Sequence, residues 1–148
     1  MMRRLNRRKA LKLGGITIAA LVVRPAWARE DIKALFEEFS QGQPTVSDGL
    51  VLDIPLTAEN GNAVPVTIRL KPDFSANATC EEIMLIAESN PHPAVCRFTF
   101  SPQIGMTDIT TRIRLAKSQK VTALARLSDG RVLMQNLAVT VVAGGCNG

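Results

Sequence analysis

From Leu50 to Val142 the chain alternates apolar and polar residues in short runs, and a period of two predicts strands rather than helices. The runs are Leu50 to Leu56, Val64 to Leu70, Glu82 to Glu88, Val95 to Phe100, Ile109 to Leu115, Val121 to Leu127, Val132 to Gln135 and Leu137 to Val142. Asn60-Gly61 predicts a type I′ hairpin between the first two, and Asp129-Gly130 turns the chain into Val132. Pro55 and Pro65 lack an amide hydrogen and suit edges or bulges. Upstream the period changes: residues 32, 35, 36 and 39 are apolar, a helical spacing with Asp31 as N-cap and with Gly42 and Pro44 as stops. That helix packs either on the domain or on a partner. Seven or eight short strands at regular intervals predict an all-β, immunoglobulin-like antiparallel sandwich over residues 29–143, preceded by one short helix.

The first 28 residues stand outside this pattern. A basic stretch is followed by a mildly apolar run from Ala10 to Val23 and by Ala26-Trp27-Ala28, the layout of a cleaved signal peptide. The apolar run is too short to span a bilayer. Asn6-Arg7-Arg8-Lys9-Ala10-Leu11-Lys12 resembles the twin-arginine export pattern, with Ala10 where that pattern has Phe; a strongly basic Sec signal is the alternative. Seven of the 18 basic residues and none of the 13 acidic ones precede the cleavage point, so the mature chain keeps 11 basic against 13 acidic side chains. Its charge is −2, against +5 for the whole sequence, and no nucleic-acid reading follows. A periplasmic protein is expected. Because the twin-arginine route moves folded cargo, a partner without its own signal is also expected to travel with it.

Candidate chemistry is sparse. His92, the single histidine, lies between two prolines and reads as a solvated loop residue. The chain has no Cys-x-x-Cys, no His-x-x-x-His and no glycine-rich phosphate loop, so neither a metal site nor a self-contained catalyst is expected. If residues 82–88 and 95–100 form a hairpin about Pro91, Cys80 faces position 102 and Cys96 faces position 86, too far apart to bridge. Two reduced, packed cysteines are then expected; another connection would leave a disulfide open. Arg112 and Arg114 project from one face of their strand and, with Lys117 and Lys120, suit an anion, an acidic partner patch or plain solvation.

Residues 144–148, Gly-Gly-Cys-Asn-Gly, place a thiol where no core can enclose it. Gly144 and Gly145 remove side-chain bulk and backbone restriction, and Asn147 and Gly148 tolerate unusual backbone angles. Three or four extended residues reach about 10–14 Å. No base accompanies Cys146 in sequence and the terminal carboxylate is near, so its thiolate is a minor species at neutral pH. These residues read as a carrier arm with Gly144, Gly145, Asn147 and Gly148 as its hinge.

Four segments, taken in order, give the chain a family resemblance. Leu56-Thr-Ala-Glu-Asn-Gly61 with Val64-Pro-Val66, Ala87-Glu-Ser-Asn-Pro91, Thr111-Arg-Ile-Arg-Leu-Ala116 and the closing Gly144-Gly145-Cys146 resemble SoxY, the sulfur-carrier family of periplasmic thiosulfate oxidation. The resemblance implies an immunoglobulin-like subunit paired with a SoxZ-like partner that lacks a signal. It implies a covalent thiosulfate-derived or sulfane adduct on Cys146 and no other cofactor. It further implies loading by a c-type cytochrome complex, sulfate release by a hydrolase, and later handling by sulfane-processing proteins. Asn147 stands where the family pattern has glycine. Two other readings compete with the carrier: an interaction module joined permanently to a partner through Cys146, and a thiol redox protein in which Cys80 or Cys96 reduces Cys146.

Overall fold

The computed structural model describes residues 31–103 and 108–144. Helix α1 (Ile32–Ser40) starts where the Asp31 carboxylate accepts the Lys33 amide hydrogen at 3.0 Å, and ends at Gln41 in the left-handed region, φ 51°. The strands follow as β1 (Thr45–Val46), β2 (Leu50–Asp53), β3 (Thr57–Asn60), β4 (Val64–Leu70), β5 (Cys80–Ala87), β6 (Ala94–Thr99), β7 (Asp108–Ile113), β8 (Gln119–Leu127) and β9 (Val132–Ala143). One turn of helix, α2 (Pro72–Ser75), separates β4 from β5.

Two sheets pack face to face, as the alternation predicts. The larger has the order β1-β9-β8-β5-β6, with β3 also on β9, and the smaller has the order β2-β4-β7. Alternation is cleanest in β4, where Val64, Val66, Ile68 and Leu70 face inward and Pro65 and Arg69 face out. Ile83, Leu85, Ala87, Val121, Ala123, Ala125, Leu133 and Val139 meet them from the larger sheet. That sheet is buried on its other face as well: Leu35 and Phe39 of α1 cover Met84, Ile86, Leu124 and Val132. The helix therefore packs on its own domain.

The main ladders are antiparallel, but the far edge of β9 is not. β1 pairs with its first residues and β3 with its last, both in parallel. β3 also replaces the expected Asn60-Gly61 hairpin. β2 does pair with β4, Leu50 opposite Leu70 and Asp53 opposite Thr67, yet between them the chain crosses to the other sheet. Neither Asn60 nor Gly61 has positive φ, so no type I′ turn forms; the Asn60 side chain instead accepts the Asn62 amide hydrogen at 2.9 Å. The Asp129-Gly130 turn forms as expected, with Gly130 at φ 88°. Pro65 sits where β4 has only β7 beside it, since the β2 ladder stops at Thr67. The two runs from Val132 to Val142 prove to be one strand.

Candidate functional site: the root of the C-terminal arm

β9 carries the chain out of the domain, and three segments converge on its last residues. Val141 is pinned by Ser118: its amide donates to Ser118 Oγ at 2.9 Å, and that hydroxyl donates back to the Val141 carbonyl at 3.5 Å. On the opposite edge Asn60 pairs with Ala143, and the Gly61 amide donates to the Ala143 carbonyl at 2.7 Å. The Gly61 carbonyl in turn accepts from the Leu115 amide at 2.8 Å, and the Leu115 side chain is fully buried. One backbone chain of bonds thus joins the β3 end, the β9 end and the β7–β8 link.

A buried amide pair holds that link. Asn90 Nδ2 donates to the Arg114 carbonyl at 2.7 Å, while Asn90 Oδ1 accepts from the Ala116 amide at 3.0 Å and from Gln119 Nε2 at 2.9 Å. Gln119 Nε2 also donates to the Lys117 carbonyl, and its Oε1 accepts from the Ser89 amide at 2.8 Å. Asn90 and Gln119 are both buried, where an unpaired amide would cost about 1–3 kcal/mol, so the satisfied network specifies one conformation for residues 114–119. Gly144 rests on this link. A Cβ added there would lie 2.2 Å from the Ala116 carbonyl oxygen. The expected hinge glycine is, at position 144, a close-approach glycine. Gly145, Cys146, Asn147 and Gly148 lie outside the described residues, as does the export segment.

Arg112 and Arg114 are exposed on either side of buried Ile113, as the alternation requires. With Asn90, His92 and Cys96 they line an open cleft of about 350 Å³ between β6 and β7, at the same end of the sandwich as the arm root. Neither arginine has an ion-pair partner among the described residues. His92, expected as a solvated loop residue, is exposed and joins the cleft rim.

The other two cysteines are free thiols. The β5–β6 hairpin forms, but its turn centres on Asn90 rather than Pro91, the Ala87 amide donating to the Pro93 carbonyl. A bulge between Leu85 and Ile86 restores only part of that shift, so Cys96 lies opposite Leu85 rather than residue 86. Five residues of β5 separate that level from Cys80, roughly 17 Å at about 3.4 Å each, which forbids a bridge. Burial pushes both thiols up to about 11, opposed at Cys80 by a hydrogen bond to the Glu82 carbonyl and at Cys96 by a backbone hydrogen bond with Leu85. Among the described residues no three histidine, cysteine or acidic side chains cluster to hold a metal, and no helix is long and apolar enough to cross a membrane.

The residues that sequence reasoning passed over are Asn90, Ala116, Ser118 and Gln119. Asn90 and Ala116 fall inside segments that carry the family resemblance, and the structure supplies their reason: three of the four segments and the first residue of the fourth meet at the arm root.

Among solved structures the chain is similar to the superoxide reductase (neelaredoxin) from Ignicoccus hospitalis, with a TM-score of 0.53 and 18% identity over 64% of this chain and 80% of that one. A variant of the same protein aligns with a TM-score of 0.52 and 18% identity, covering 74% and 90% of the two chains. At these identities the likeness concerns the sandwich fold alone. No curated protein sequence matches the chain. The family described as sulfur oxidation protein SoxY matches residues 34–146, from the first turn of α1 through Cys146. The chain belongs to the SoxY family, whose general role is that of a sulfur carrier in sulfur oxidation.

Proposed function

We propose that the protein is a periplasmic carrier subunit that holds thiosulfate-derived sulfur covalently on Cys146 and presents it to partner enzymes, without being an enzyme itself. The observation that carries this reading is the arm root. The fold spends β3, Ser118 and the Asn90–Gln119 pair on fixing Gly144, two residues before the only cysteine that follows the last strand. The family match runs to that cysteine. Cys80 and Cys96, with thiols raised to about 11, are poor nucleophiles at neutral pH, which leaves Cys146 as the competent one and disfavours the redox reading.

The chemistry closes in two steps. Oxidative loading joins the Cys146 sulfur to the sulfane sulfur of thiosulfate, giving Cys–S–S–SO₃⁻, one proton and two electrons; a c-type cytochrome complex accepts the electrons. Hydrolysis then adds water across the S–SO₃ bond, leaving a persulfide, Cys–S–SH, and releasing hydrogensulfate. The visiting enzymes supply thiol activation, because the side chains that bond at the arm root among the described residues, Asn90, Ser118 and Gln119, are not bases. Arg112 and Arg114, without an ion-pair partner among the described residues, stand beside that root as a positive edge that a partner or an oxyanion contacts. Leu56 and Val142, 62% and 71% exposed on the β3–β9 side, leave apolar surface for a partner subunit of the SoxZ type.

Intact mass of the protein from thiosulfate-fed cells, with and without reductant and beside Cys146→Ser, tests the proposal. Reductant-labile additions of sulfur or thiosulfonate that need Cys146 are expected. A bare chain, or one shifted only by a whole partner, would instead favour the disulfide-linked module.

A further inference from the structure

We propose that Asn90 is a positioning residue for the arm: through the 114–119 link it fixes where and in which direction the chain leaves the domain at Gly144, so that the movement carriage requires begins at residue 145. The inference rests on the carrier reading above and goes beyond it, since a freely jointed arm would need no seat. The contacts form one relay. Asn90 grips the link at the Arg114 carbonyl and the Ala116 amide, at 2.7 and 3.0 Å, and the carbonyl of that same Ala116 is the surface against which Gly144 lies. Gln119 keeps Asn90 from rotating by donating to its Oδ1 at 2.9 Å, and Ser89, one residue away, is tied to Gln119 Oε1. From the other side the Gly61 carbonyl holds the Leu115 amide while the Gly61 amide holds the Ala143 carbonyl. Asn90 thus fixes the link itself, the Gly61 bonds and the Ser118–Val141 pair hold the strand end against it, and only a residue without a side chain fits between them.

A fixed origin matters for a short arm. Each residue that is already ordered before docking removes a conformational cost from binding a narrow active site. Two residues at about 3.5 Å each carry Cys146 only ~7 Å from Gly144, so a root that wanders by a few ångströms spends much of the reach. An unseated arm meets its enzymes less often in the productive pose, which raises KM more than it lowers kcat.

The experiment uses the full mature chain with its partner subunit as substrate for enzymatic loading with thiosulfate. Wild type, Asn90→Ala, Gly144→Ala and the double variant are compared, with circular dichroism to establish folding and iodoacetamide alkylation of Cys146 as a reaction that needs no docking. Each single variant is expected to raise KM for loading about five- to tenfold, with kcat and the alkylation rate within about twofold of wild type. The double variant is expected to be no worse than either single, because both break one relay. Wild-type KM in a folded Asn90→Ala protein, or fully additive effects in the double variant, overturns the proposal. Should Asn90→Ala fail to fold, Gly144→Ala at the exposed root decides the matter alone. Failure of the carrier reading looks different: wild type itself would then acquire no Cys146 adduct.

Discussion

Cys80 is 2% exposed between the sheets and Cys96 lies half-buried on β6, and in both places the missing solvent penalises the thiolate more than the thiol. With both raised from 9.0 to about 11, each holds at pH 7.5 a thiolate fraction on the order of 100 times smaller than an ordinary cysteine. Native protein treated with iodoacetamide at pH 7.5 should therefore lose Cys146 at least about 100-fold faster than either of the others, as read by peptide mass mapping. Comparable rates would mean the core opens on the labelling timescale. The same shifts link to folding. Thiols that ionise at 9.0 when unfolded but near 11 when folded contribute stability that is complete below pH 9 and is lost as pH rises through 11. Urea unfolding at pH 8 and pH 10.5 should show a smaller fall in stability for Cys96→Ala than for wild type; parallel falls would refute the shift. Sequence reading anticipated two unbridged, packed thiols from the hairpin geometry. It did not anticipate Asn90, because a buried amide that ties two loops together looks in sequence like any turn asparagine before a proline.

At the scale of elements, α1 and the outer face of the larger sheet form a second small core. Phe39 is 2% exposed there, Arg126 stacks over its ring at 5.4 Å and donates to its carbonyl at 3.2 Å, and Glu82 takes the other end of that guanidinium. Arg97 bridges Glu82 and Glu38, tying the helix to β5 and β6 from the side. Phe39→Ala should cost about 3–5 kcal/mol in urea denaturation, the range for emptying a buried aromatic site, and a loss under about 1 kcal/mol would show that α1 adds little to the fold. The helix was readable because apolar spacing and cap residues are local, and its burial followed once β5 proved apolar on both faces, Ile83 and Leu85 inward and Met84 and Ile86 under the helix. Strand pairing was less readable. Residues 57–60 look like the end of the first run, and only their parallel partner, Thr140 to Ala143, more than eighty residues away, makes them a separate strand. Asn60-Gly61 favours a type I′ turn only when the flanking strands can pair with each other. Here one of them pairs elsewhere, and an Asx bond to Asn62 serves instead. The one-residue error at Cys96 has a local origin: the hairpin turns about Asn90 rather than Pro91 and a bulge restores only part of the shift, and neither leaves a mark in apolar alternation.

For the whole molecule, the arm root, the arginine-lined cleft and the exposed Leu56 and Val142 gather at or beside one end of the sandwich, the end that enzymes receiving the arm would approach under the proposed function. A partner subunit bound along the β3–β9 side would leave that end free, and such a pair would have to form before export if only one member carries a signal. Residues 1–28 fit that role on charge alone, with seven basic residues and no acidic one. Because the twin-arginine route accepts folded cargo and the Sec route threads unfolded chains, the two make opposite forecasts for an unsignalled partner. Replacing Arg7 and Arg8 together by Lys keeps the charge of the leader while removing the guanidinium pair. Under twin-arginine export, cell fractionation should find both this chain and its partner subunit held in the cytoplasm, with thiosulfate oxidation lost. Export of this chain undiminished, with the partner left behind or absent from the periplasm, would point to the Sec route and to assembly on the far side of the membrane. The seat at Gly144 bears on the same choice: β3 and the Asn90–Gln119 pair must both be in place before the arm has a root, and a subunit exported folded arrives with that root already built.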